Sequence, residues 1–170
     1  MKKYFAIILT TTLCSALGKG SYAQELKTEE IAEVNIPLDP PIAAGTKLIY
    51  PIKGGTITGK ITGKFLPIGA DFGGLISPTT YKLDVREVIQ TVDSAIIYVT
   101  IGGYIYADSE TFKLIASGKV KELNPEKYYF RLTPVYETTS PKYDWLNHTI
   151  AIGAGALTET GVSYKVFAVK

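Results

Sequence analysis

The 170-residue chain has one Cys, one His, one Met and one Trp. A single Cys and a single His exclude a disulfide framework and a His/Cys zinc site, and no metal or other cofactor is expected. Arginine is also scarce: only Arg86 and Arg131 stand among 18 basic residues, against 16 acids. The net charge of +2 is too small for the basic footprint of a nucleic-acid binder. The sequence also lacks sustained long-helix periodicity, a strand–helix–strand alternation, a repeat of fixed period and a phosphate-binding loop, since Gly54-Gly55 is followed by neither Lys-Ser/Thr nor a helix.

The N-terminus reads as an export leader. Lys2 and Lys3 precede an apolar stretch from Tyr4 to Leu17, and Ser21-Tyr22-Ala23 supplies small residues before a cut after Ala23. The stretch is shorter than the roughly 18–20 residues of a spanning helix, so no membrane span is expected after cleavage. Lys2, Lys3 and Lys19 would leave with residues 1–23 while all 16 acids stay, shifting the charge from +2 to about −1. The only Cys and the only Met would leave too, which suits an oxidising compartment, periplasmic or extracellular.

Residues 24–30 are polar and read as a flexible lead-in to one domain over 31–170. Strand patterns dominate that domain. They cover Ile31–Ile36, Lys47–Tyr50, the Gly/Thr run 54–63, Thr80–Gln90, Ala95–Tyr106, Lys127–Glu137 with an interruption near Pro134, and Val162–Val169. Tyr143–Leu157 reads as mostly extended and Phe65–Gly74 as a loop. Residues 109–118 carry the one helix pattern, with Ser109 as N-cap and Gly118 as stop. Eight to ten strands and one short helix point to an all-β fold. Apolar residues on both faces of several strands favour a single antiparallel barrel over an open sheet.

Some residues stand out chemically. Both arginines lie within strand patterns, where a planar guanidinium suits an anionic or carbonyl ligand, a structural charge pair or an outward-facing charge. Alternation places Tyr129, Arg131, Thr133 and Glu137 on one face. In an extended 143–155 segment, Tyr143, Trp145 and Asn147 share a face with Thr149, Ala151, Gly153 and Gly155. Such a face suits a ligand cavity, or else the narrow end of a tapered core. Asp71, in the Gly-rich stretch 67–74, suits a general base or a backbone-bonded loop acid.

Two blocks, Tyr50–Gly59 with Leu66–Phe72, and Tyr128–Arg131 through Pro134–Thr138 and Tyr143–Asn147 to Gly153–Gly155, resemble the bacterial and fungal family called domain of unknown function 3237 over about residues 31–169. Gly54, Gly55, Asp71, Arg131, Glu137, Trp145 and Asn147 carry the resemblance. Phe72, where the family usually has Trp, Val135 and the leader depart from it. The resemblance implies a lipocalin-like (calycin-type) barrel and little about chemistry. The leading expectation is an exported barrel that binds a small, partly apolar or aromatic ligand, through Arg131 if anionic, with Tyr143, Trp145 and Asn147 also lining the pocket. One alternative is a cofactor-free isomerase, cyclase, lyase or lactone hydrolase using Asp71 or Glu137 as general base. Another is a structural or interaction module with a filled barrel, and the sequence leaves a homo-oligomer open.

Overall fold

A computed structural model describes residues 24–170; the leader and its cut after Ala23 lie outside the described residues. Twelve strands form: β1 Thr28–Pro37, β2 Ile42–Ala44, β3 Lys47–Ile52, β4 Thr56–Gly59, β5 Gly63–Phe65, β6 Gly69–Asp71, β7 Gly74–Ser77, β8 Thr80–Thr91, β9 Ile96–Ala107, β10 Tyr128–Glu137, β11 Ala151–Thr158 and β12 Gly161–Val169. All pairings are antiparallel. β3 and β4 act as one broken ribbon, and β5, β6 and β7 as another along β8. With these ribbons counted once and β2 set aside as the outer arm of a hairpin with β3, eight run up and down, and β1–β12 pairing closes the barrel. Closure pairs the long strands on both sides over most of their length and leaves only short edges, at β2, at β7 and at β10 beyond Leu132.

The long strands alternate strictly. In β8 the odd residues from Tyr81 to Ile89 point inward with Thr91, and in β10 the even residues from Tyr128 to Tyr136 do so. The barrel bends where side chains are absent. Gly103 in β9 sits at φ +154°, and a Cβ there would lie 2.3 Å from the Arg131 carbonyl oxygen. Only glycine combines that backbone angle with so close a neighbouring strand.

The two barrel ends differ. At the end holding the β8–β9 turn, Ile31, Ile57, Ile61, Ile89, Ile97 and Leu146 are fully buried and fill the interior. That end is capped by a 3-10 helix over Pro141–His148. The other end carries α1, Ser109–Ala116, two short 3-10 turns and the β2–β3 hairpin.

Four local expectations are corrected. α1 starts where expected, but its cap is Asp108, whose Oδ1 accepts from the Thr111 N–H at 2.7 Å. β10 runs unbroken through Pro134 because it keeps its ladder with β9 there, while its pairing with β11 stops at Leu132. Residues 141–148 are helical rather than extended: Pro141 opens the helix, and the Tyr143 N–H bonds to the Ser140 carbonyl. The 65–74 stretch, expected as a loop, contains β6 and the start of β7.

Candidate functional site

The unfilled interior lies at the α1 end. A cavity of about 50 Å³ is walled by Ile52, Leu83, Val85, Ile101, Phe130 and Leu132, with half-buried Leu38 and Val162 at its rim. Three polar residues join this apolar wall: Asp71, Glu87 and Tyr164. Asp71 pairs with Val85 in the β6–β8 ladder, and Glu87 is the next inward residue of β8. The two carboxyl-bearing residues are thus diagonal neighbours on one wall, a spacing of about 7–8 Å between backbones.

Their surroundings are unequal. Asp71 is 8% exposed. Its Oδ1 accepts from the Asp84 N–H at 2.9 Å, and its Oδ2 lies 3.2 Å from the Tyr81 hydroxyl. Burial raises its pKa, while the Asp84 N–H, the Tyr81 hydroxyl and the Gly73 N–H oppose that rise. The Tyr81 hydroxyl also lies 3.2 Å from the Leu48 carbonyl oxygen, so it can donate there when Asp71 holds a proton. Burial and the Asp71 charge push the Tyr81 phenol well above its ordinary value.

Glu87 is 2% exposed. The Tyr164 hydroxyl donates to its Oε1 at 3.1 Å, and among the described residues nothing bonds its Oε2. Burial pushes its pKa up to about 8, with the Tyr164 bond acting weakly in the opposite direction. At neutral pH Glu87 is mainly a carboxylic acid, so one carboxyl oxygen carries a proton. The Tyr164 and Tyr136 phenols around it are raised by burial and then by the Glu87 charge.

The residues singled out in the sequence fall into three places. Asp71 lies on the cavity wall. Arg131 and Glu137 do share a face, but it is the outer one, because Phe130, Leu132 and Tyr136 take the inward positions of β10. The Arg131 guanidinium lies 5.1 Å from the Tyr129 ring and donates to the Phe130 carbonyl. Arg86 also points outward and pairs with Asp84 at 2.5 Å. The pocket roles of Arg131 and Glu137 are therefore withdrawn.

Tyr143, Trp145 and Asn147 are also withdrawn as cavity residues, because their helix caps the opposite barrel end. The Tyr143 hydroxyl donates to Asp93 at 3.1 Å, beside the Lys142–Asp93 pair at 2.6 Å. Trp145 packs half-buried against the core. Asn147 clamps Thr138, accepting from its N–H and donating to its carbonyl, both at 2.9 Å. The small residues of β11 leave no ligand space: a Cβ on Gly153 would overlap Leu132, and one on Gly155 would meet the Phe130 ring at 2.8 Å. The tapered-core alternative is the one the structure takes.

Glu87 was not singled out in the sequence, although a signal was present. It is the one acid at the apolar parity of Tyr81, Leu83, Val85 and Ile89.

Comparison with known proteins agrees with the barrel fold. A UPF0311 protein of Clostridium acetobutylicum is 33% identical over 144 residues, covering 80% of this chain and 90% of the relative. The crystal structure of a conserved protein of unknown function from Rhodopseudomonas palustris superposes with a TM-score of 0.80 at 30% identity, over 87% of this chain and 99% of that one. A β-barrel-like protein from Acinetobacter baumannii superposes with a TM-score of 0.76 at 35% identity, over 88% of this chain and 99% of that one. Residues 26–169 match the family described as protein of unknown function (DUF3237), and the chain belongs to that family.

Proposed function

We propose that the chain is an exported barrel that binds a small, neutral, largely apolar molecule in the cavity between Asp71 and Glu87. The observation that carries this reading is the Glu87 Oε2 atom, buried in the cavity wall without a hydrogen-bond partner among the described residues. Buried polar groups left unpaired cost about 1–3 kcal/mol, and a ligand oxygen accepting from the Glu87 acid removes that cost. The wall is otherwise aliphatic and aromatic and holds no cation, so an anion is disfavoured there. The leader sequence supports export. A second reading, a cofactor-free acid–base enzyme, is favoured by the two carboxyls with raised pKa on one wall.

Thermal unfolding and amide NMR with cyclopentanone, γ-butyrolactone and benzoate test the binding reading. A neutral carbonyl probe at about 100 times its Kd adds roughly 2.7 kcal/mol of stability. It also shifts the amides of Leu83, Val85, Ile101 and Leu132. Binding of benzoate alone, or shifts confined to the outer face, overturns the reading.

A further inference from the structure

The two carboxyl groups of the cavity are built for opposite roles. Asp71 sits among donors: the Asp84 and Gly73 N–H groups and the Tyr81 hydroxyl all favour its charged form. Glu87 has one hydroxyl donor, no backbone donor and a free second oxygen in an apolar wall. Two acids that share a cavity in such unequal surroundings separate into a proton acceptor and a proton donor. Their diagonal positions on one wall put both carboxyl-bearing residues on the lining of the same cavity. Tyr50 and Tyr81 meet edge-on at 6.3 Å beside Asp71 and keep its outer side shielded.

We propose that Asp71 and Glu87 form a proton-shuttling pair that shifts the double bond of a small, neutral β,γ-unsaturated carbonyl compound, with Asp71 as base and Glu87 as acid. This rests on the reading of the cavity as the ligand site. The Asp71 carboxylate takes the proton between the carbonyl and the alkene, breaking that C–H bond. Glu87 gives its proton to the carbonyl oxygen, and a dienol forms. Glu87 then takes back the O–H proton while Asp71 delivers its proton to the far alkene carbon. The product is the conjugated isomer, both carboxyls return to their starting states, and no oxidant, reductant or water is consumed.

The pH dependence follows from the groups around each acid. Glu87 is faced by Tyr164 from β12 and Tyr136 from β10, with Asp71 of β6 diagonal to it along the wall. Asp71 is faced by Tyr81 and Asp84 from β8 and Tyr50 from β3. The tyrosines are phenols through this range, so the activity falls above about pH 8 as Glu87 loses its proton, and falls in acid as Asp71 gains one.

The test follows cyclohex-3-en-1-one becoming cyclohex-2-en-1-one by proton NMR in H2O buffer, with amide shifts recorded on the same samples. The wild-type protein is expected to exceed an equal concentration of free carboxylate buffer by about 100-fold or more. Asp71→Asn and Glu87→Gln should each lose most of that excess while the amides of Leu83 and Leu132 still respond to the ketone. Binding without conversion overturns the shuttle and leaves the binding reading standing. Neither binding nor conversion overturns both. Conversion that survives both substitutions shows that these carboxyls do not carry it.

Discussion

At the scale of the residue, a buried acid dominates the chemistry. From about pH 4.5 to 8 the unfolded chain has released the Glu87 proton that the native barrel still holds. The native state then binds more protons, so stability falls as pH rises through that window, by a few kcal/mol in total. Glu87→Gln keeps an oxygen for Tyr164 and carries no charge. Urea unfolding at pH 5 and pH 8 should show a large difference for the wild type and a much smaller one for the variant. Asn147→Ala has a different signature. It removes the clamp on Thr138 and should cost about 1–2 kcal/mol of stability while leaving any cavity ligand bound with unchanged affinity. A loss of binding with unchanged stability would contradict its placement at the far end.

The residue scale is also where the sequence was least legible. Alternation correctly grouped Tyr129, Arg131, Thr133 and Glu137, but parity does not say which face is inside. The rare arginines suited a ligand clamp, a structural charge pair or an outward-facing charge, and both lie on the outer face. The more deeply buried acid, Glu87, shares its residue type with many exposed ones, and only its parity among Tyr81, Leu83, Val85 and Ile89 marks it. Asp71 was legible as a candidate, but its Tyr81 and Asp84 partners come from another strand and could not be foreseen.

At the scale of the element, long alternating strands were readable because one face of each is apolar, as in β8 and β9. The segment 141–148 misled because Tyr143, Trp145 and Asn147 at every second position mimic a strand. Tertiary contacts decide otherwise: Asp93 in the β8–β9 turn accepts from Lys142 and Tyr143, drawing the helix over the barrel end. The Lys142 ammonium, then the Thr91 hydroxyl, holds the Asp93 pKa well below the usual carboxylate range. Bends were readable in outline from glycine. Gly103→Ala should destabilise the barrel by roughly 1–3 kcal/mol or more in thermal unfolding, since its Cβ meets the Arg131 carbonyl and its φ strains any side chain. A change within 0.5 kcal/mol would mean the strands can separate there.

At the scale of the molecule, side chains fill the barrel at its capped end and leave a cavity of about 50 Å³ toward the α1 end. The same division shapes its response to pH. Acids held low, such as Asp93 and Glu29, lose their contribution as pH falls through the region below about 4. Glu87 and Asp71, held high, lose theirs as pH rises. Maximum stability is therefore expected at mildly acidic pH, about 4 to 5, rather than at neutrality. A thermal-unfolding series from pH 3 to pH 9 checks it, and a plateau extending through pH 8 would contradict it. The central claim is that the barrel keeps a protonated carboxyl facing its cavity, and carbon-13 NMR titration of the Glu87 side-chain carboxyl tests it most directly. A midpoint near 8 is expected in the wild-type protein; a midpoint near the ordinary 4.5 would mean that Glu87 is ionised at neutral pH.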